Sequence, residues 1–95
     1  MNNNETYRLA VENHQKLNFP VAIELYKEVL KNDPKHLSAL NNLGAIFFIQ
    51  GEKEKAKKYY EKAIKINPKY TDAHNNLAIL FRNLGRNQEA INILK

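Results

Sequence analysis

Two asparagine pairs are the residues of this sequence whose chemistry is best suited to binding another molecule. Asn41-Asn42 and Asn75-Asn76 lie 34 residues apart, and a leucine followed by a small residue comes after each pair. An amide side chain carries donors and an acceptor, so it can hydrogen-bond to the main chain of an extended peptide. The spacing therefore indicates a repeated binding position, and the chemistry is that of recognition.

Residues that could support catalysis or hold a metal are scattered. The sequence has no cysteine, and His14, His36 and His74 form no His-x3-His or Glu-x2-His pair on a helix. Zinc needs three or four converging ligands, which this spacing does not provide. No serine or threonine lies in a nucleophile elbow, and there is no phosphate-binding loop. We therefore expect no enzymatic activity, no cofactor and no metal site.

The asparagine pairs belong to a period of 34 residues that runs through the sequence. The positions that recur in this register are Ala22, Ala56 and Ala90; Leu9, Leu43 and Leu77; Tyr26 and Tyr60; Pro34 and Pro68; and Gly51 and Gly85. A fixed period of this size indicates stacked structural units in place of one globular core. Apolar residues recur every three or four positions between the turn residues, which predicts two helices in each unit.

The central unit resembles the tetratricopeptide repeat (TPR). Its motif is Leu40-x2-Leu43-Gly44-x2-Phe47, followed by Ala56-x3-Tyr60 and Pro68, with Leu40 in place of the usual Trp and Phe47 in place of the usual Tyr. The resemblance implies an all-α solenoid of antiparallel helical hairpins, with about two and a half repeats and six helices. The repeats would form a single domain, 1–95, at about 3–36, 37–70 and 71–95, with the last one truncated.

The sequence also predicts where the helices begin and end. We expect caps at Asn2–Asn4 and Thr71-Asp72, helix starts near Pro20, Leu37, Lys53 and Asn87, and helix ends near Leu17, Asp33, Gln50, Ile66 and Gly85. Leu17 occupies the position of Gly51 and Gly85 in the later units. Because glycine commonly closes a helix end, we expect a less sharp or differently closed turn at Leu17.

In TPR proteins the first helices of the hairpins line a concave groove, and the second helices form the convex back. By this resemblance the groove residues are Tyr7, Val11, Asn41, Asn42, Phe48, Ile49, Asn75, Asn76, Ile79 and Arg82. Amides mixed with apolar groups suit an extended peptide, so we expect a protein or peptide partner.

The asparagine runs are similar to those of the protein O-GlcNAc transferase superhelix, in which recurring asparagines hold a peptide main chain. Asn42 and Asn76 match that position, whereas Arg8 occupies it in the first repeat, so at most two such positions exist. The alternative is that both amides hydrogen-bond to neighbouring backbone between hairpins, because amides near a packed interface need internal partners. A carboxylate clamp of the chaperone-binding type is not expected, since Asp72 would repel a carboxylate.

The net charge of +5 is concentrated on the predicted fourth helix. Its lysines are Lys53, Lys55, Lys57, Lys58, Lys62 and Lys65. Such a run could meet nucleic acid or an acidic membrane surface. We interpret it as a solvated convex face and consider nucleic acid an improbable partner, because Glu52, Glu54 and Glu61 lie among the lysines and no nucleic-acid motif accompanies them.

Neither a signal peptide nor a membrane span is expected. The longest apolar run, 45–49, is too short to cross a bilayer, and the first residues lack a basic segment followed by an apolar one. The absence of cysteine is compatible with a reducing compartment. We therefore expect a soluble, cytoplasmic protein.

The leading functional hypothesis is a protein-interaction module that binds a peptide in the concave groove. The alternative is a homo-oligomer or a stack on further repeats, formed through the sixth helix, whose apolar residues Ala90, Ile91, Ile93 and Leu94 no later helix covers. A third hypothesis makes the chain the scaffold part of an enzyme. The fold alone cannot decide among these, because one fold serves many functions.

Overall fold

The protein is all-α, as the sequence predicts. A computed structural model describes residues 1–85, and their helices are α1 (Asn3–Gln15), α2 (Phe19–Asn32), α3 (Leu37–Ile49), α4 (Lys53–Ile66) and α5 (Thr71–Asn83). Helices α1 and α2 pack as one hairpin, α3 and α4 pack as the next, and α5 follows against α3 and α4. The predicted sixth helix, with Ala90, Ile91, Ile93 and Leu94, lies outside the described residues.

Most helix ends agree with the prediction to within one or two residues. Asn2 caps α1 by accepting a hydrogen bond from the backbone N–H of Glu5 at 2.9 Å. Pro20 lies in the first turn of α2, where its missing N–H costs nothing, and Asp33 ends that helix. The predicted Thr71-Asp72 cap is wrong, because Thr71 is already helical and Tyr70 precedes it without a side-chain hydrogen bond.

The turn at Leu17 also differs from the prediction. Leu17 has φ +62°, close to the +82° of Gly51 and the +78° of Gly85, so all three turns close in the left-handed conformation. The Leu17 N–H donates to the carbonyl of His14 at 3.0 Å, and the Gly51 N–H donates to that of Phe48 at the same distance. The backbone hydrogen bonds of the helix end thus fix the conformation, and the leucine side chain extends into solvent with 71% exposure.

Close packing within the second hairpin depends on a glycine in α3. A Cβ atom at Gly44 would lie 2.7 Å from Cε1 and 2.9 Å from Cδ1 of Tyr60, and 3.3 Å from the carbonyl oxygen of Ala56. Tyr60 is 2% exposed and Ala56 is fully buried. The absence of a side chain at Gly44 therefore allows the Tyr60 ring of α4 to lie against the backbone of α3.

The core is centred on α3. Seven residues of α3 are buried: Ala39, Leu40, Asn41, Leu43, Gly44, Ile46 and Phe47. By contrast, α1 buries only Thr6 and Ala10. Helix α3 is covered by α4 on one side and by α2 and α5 on others, so its apolar residues occupy several faces. Because α3 is apolar on several faces, some of its apolar side chains, such as Ile49, are exposed to solvent.

Candidate peptide-binding groove

An open cleft lies between α3 and α5, the first helices of neighbouring hairpins. It measures about 220 Å³ and is lined by Ala45, Phe48, Ile49, Tyr60, Asn76 and Ile79. Ile49 is 61% exposed and Ile79 is 49% exposed, although both are large apolar residues. The cleft is thus an apolar surface that water reaches in the free protein.

The register of the two helices places these side chains together. Ala45 and Ile79 are one period apart, so they occupy equivalent positions on α3 and α5. Phe48 and Ile49 follow Ala45 by three and four residues and therefore lie on the same helix face. Tyr60 reaches the cleft from α4 because Gly44 has no side chain to hold its ring away.

The second asparagine pair binds across this helix interface. The amide nitrogen of Asn76 donates to Oδ1 of Asn41 at 3.0 Å. Asn41 is 7% exposed, so its side chain is buried between the helices. A buried amide needs such a partner, since leaving it unpaired costs about 1–3 kcal/mol. Asn41 consequently contributes to the contact between α3 and α5.

Asn42, of the first asparagine pair, also hydrogen-bonds between hairpins, in this case between the second hairpin and the first. Asn42 donates from its amide nitrogen to the hydroxyl oxygen of Tyr7 on α1 at 3.2 Å. Burial raises the pKa of Tyr26 to about 12, and a side-chain hydrogen bond with Asn42 partly opposes this rise. Asn42 and Asn76 therefore hydrogen-bond between hairpins, but their acceptors are side-chain oxygens and not the backbone groups that the alternative predicts.

Comparison with protein families agrees with this architecture. Two family models described as tetratricopeptide repeat match the sequence, one over residues 38–70 and the other over 59–92. Together they span more than half of the chain. The chain belongs to the tetratricopeptide repeat family. TPR units are protein–protein interaction modules in general and typically non-catalytic scaffolds, and that general role applies to this fold.

Solved structures show the same TPR architecture. A crystal structure of MamA protein superimposes with a TM-score of 0.89 at 24% sequence identity, covering 97% of this chain and 50% of that chain. Another crystal structure of MamA has a TM-score of 0.83 and 27% identity, with 97% of this chain and 54% of that chain covered. This chain thus spans about half the length of these MamA chains, and no curated protein matches it.

The TPR fold brings together some of the predicted groove residues and separates others. Phe48, Ile49, Asn76 and Ile79 line the cleft between α3 and α5. Asn75 and Arg82 are exposed on α5, whereas Tyr7 and Val11 are half-buried against the main core. Tyr60 also lines the cleft, although its one-period match to Tyr26 gives no sign of this in the sequence.

The histidines of this TPR chain have structural partners. His14 is half-buried; its Nδ1 lies 3.0 Å from the Tyr26 hydroxyl, and burial lowers its pKa. His36 caps α3 through Nδ1, which accepts from the Ala39 N–H at 3.1 Å. His74 donates from Nε2 to the carbonyl of Pro68 at 2.6 Å. Within residues 1–85, no group of His, Cys, Asp and Glu could hold a metal ion.

The helices of this TPR chain are short. In the part of the chain that the structure describes, none is both long and apolar enough to cross a membrane.

Proposed function

We propose that this protein binds an extended segment of a partner protein in the cleft between α3 and α5. The observation that supports this proposal is the joint exposure of Ile49 and Ile79 beside the half-buried Phe48. An exposed apolar surface in a soluble domain is a common mark of an interaction site. The general role of TPR units in protein–protein interaction favours a protein over a small molecule as the occupant.

The size of the cleft favours one part of a partner over a whole small molecule. Its volume of about 220 Å³ lies below the ~300–1,000 Å³ that is usual for pockets of drug-sized ligands. It therefore suits one large apolar side chain of a peptide that lies across α3 and α5. The exposed Asn75 and Arg82 of α5 are available to hydrogen-bond with the main chain of such a peptide.

A peptide selection followed by one matched pair of variants tests the proposal. Peptides enriched on the wild-type protein from a random phage-displayed library should carry a conserved apolar side chain, and their affinities can be measured by fluorescence anisotropy. Ile79→Asp should weaken binding by about tenfold or more, because it replaces a partly exposed apolar wall by a charge that must be desolvated.

The matched control is Ile66→Asp, which makes the same change at another exposed isoleucine, at the end of α4 and outside the cleft. Ile66 is 38% exposed, so both variants should remain folded, as circular dichroism would verify. Enriched peptides that bind both variants with wild-type affinity would contradict the proposal, as would a selection that yields no sequence with an apolar anchor.

Self-association remains the alternative prediction from the sequence. It depends on Ala90, Ile91, Ile93 and Leu94, which lie outside the described residues. The described cleft supports peptide binding more directly, because its exposed apolar residues are placed together by two helices of known register.

A further inference from the structure

A second groove lies between α2 and α4, and it shares no lining residue with the cleft between α3 and α5. Two depressions adjoin there and share Lys27, Tyr59 and Lys62. The first, of about 290 Å³, is completed by Leu30, Pro34 and Leu40. The second, of about 230 Å³, is completed by Phe47, Lys55 and Lys58. The groove is thus apolar at one end and strongly basic at the other.

Aromatic rings hold two of the lysines at the basic end. The rings of Phe47 and Tyr59 stack with centroids 5.5 Å apart and an interplanar angle of 17°. Nζ of Lys55 lies 5.4 Å from the centroid of Phe47, and Nζ of Lys62 lies 5.3 Å from that of Tyr59. Cation–π attraction therefore favours the placement of these ammonium groups over the two rings.

The charges along the groove are not balanced within it. Four lysines line the two depressions and, among the described residues, no aspartate or glutamate lines either of them. Glu52 pairs with Lys55 at 3.2 Å, but this carboxylate is exposed and lies at the start of α4, beyond the lining residues. The lining of the two depressions is therefore positively charged.

We propose that this groove binds an acidic protein segment that carries an apolar anchor. Its carboxylates would pair with Lys27, Lys58 and Lys62, and its apolar side chain would lie against Leu30, Pro34 and Leu40. Charge complementarity with a groove of this kind speeds association and selects the partner. The site is distinct from the cleft between α3 and α5, so one chain could hold two segments at once.

The structure favours an acidic peptide over nucleic acid. Single-stranded nucleic acids bind by stacking their bases on open aromatic faces. Here Phe47 is only 6% exposed, and the lysines lie over the faces of Phe47 and Tyr59. A phosphate backbone also has no apolar group that could pack at the apolar end of the groove, whereas a leucine or phenylalanine side chain of a peptide would fill it.

The test uses defined probes and a charge-matched control. A short fluorescent peptide of glutamates around a central leucine is titrated by anisotropy against the wild-type protein and against the Lys58→Glu/Lys62→Glu variant. We expect the variant to bind roughly tenfold more weakly, because two favourable ion pairs become repulsive. The control, Lys65→Glu/Lys69→Glu, makes the same change of net charge at two exposed lysines outside the groove and should bind as the wild type does.

Two further probes decide the chemistry of the partner. Replacing the central leucine of the peptide by serine should weaken binding, and single-stranded DNA should bind more weakly than the acidic peptide at equal salt. The proposal would be overturned by no measurable binding of the acidic peptide, by equal losses in the two double variants, by an unchanged affinity of the serine peptide, or by tighter binding of the DNA.

Discussion

Leu17 is the residue whose conformation is least expected from its side chain. Its φ of +62° lies in the left-handed region, which costs an L-amino acid roughly 1–2 kcal/mol relative to glycine. The later turns have Gly51 and Gly85 at the same position. The first turn therefore carries a conformational cost that the other two avoid, and nothing in its exposed side chain offsets that cost.

We predict that Leu17→Gly stabilises the protein by about 1 kcal/mol. Glycine relieves the left-handed strain but loses more backbone entropy on folding, which reduces the gain. The measurement is the free energy of unfolding from urea denaturation followed by circular dichroism. Leu17→Ala serves as the control, because it removes the exposed side chain and keeps a Cβ atom. An equal gain in Leu17→Ala would show that the backbone conformation is not the cause.

The asparagines show what residue-level sequence reasoning can and cannot resolve. The period of 34 residues correctly places Asn41, Asn42, Asn75 and Asn76 on the first helices. It does not reveal that Asn41 is buried while Asn75 is exposed, although both precede another asparagine. Asn41 is buried where α3 contacts α5 and accepts a hydrogen bond from Asn76, whereas Asn75 is exposed on α5. Equivalent sequence positions are thus not equivalent in solvent exposure along a short stack.

At the scale of the helices, the hairpin crossing was predictable and the basic groove was not. Small residues at equivalent positions of successive repeats indicate close approach, and Gly44 confirms it. In the sequence, the lysines of α4 lie among glutamates, and this pattern is typical of a helix face exposed to solvent. In the folded chain, Lys27 of α2 lines the same depressions as Lys62 of α4. The packing of α3 against α4 stacks the Phe47 ring on Tyr59 beneath two of the lysines. Contacts between helices cannot be inferred from the pattern of one helix.

We predict that Gly44→Ala destabilises the protein by about 1 kcal/mol. Alanine gains about 1 kcal/mol in helix propensity, but its Cβ atom would lie 2.7 Å from Tyr60 Cε1, and such overpacking costs about 1–3 kcal/mol. Urea denaturation of Gly44→Ala, Tyr60→Leu and the double variant gives the coupling free energy between residues 44 and 60. The double variant should be more stable than the two single effects predict, because leucine removes the ring atoms that clash. A stabilising Gly44→Ala would contradict this account.

At the scale of the whole molecule, the helices differ in how much of their surface is covered. Helix α3 has seven buried residues and α1 has two, although both have 13 residues. In stacked repeats, stability is the sum of each unit's own stability and of its interfaces with its neighbours. The central hairpin has interfaces with α2 and with α5, whereas the described contacts of α1 are chiefly with α2. Protection from unfolding should therefore be uneven along the chain.

We predict that backbone amides of α3 exchange with solvent roughly tenfold or more slowly than those of α1, after correction for intrinsic rates. Leu43 and Ile46 of α3 and Ala10 of α1 are all fully buried, so they form a matched comparison in which burial is equal and only the surrounding interfaces differ. The measurement is native-state hydrogen exchange by NMR at several low concentrations of denaturant. Exchange through opening of the first hairpin alone would show a weak denaturant dependence for Ala10 and a steep one for Leu43 and Ile46. All three amides could instead exchange with the same free energy of opening and the same dependence on denaturant. The chain would then unfold as one unit, and the interfaces between hairpins would be stronger than the unequal burial of α1 and α3 implies.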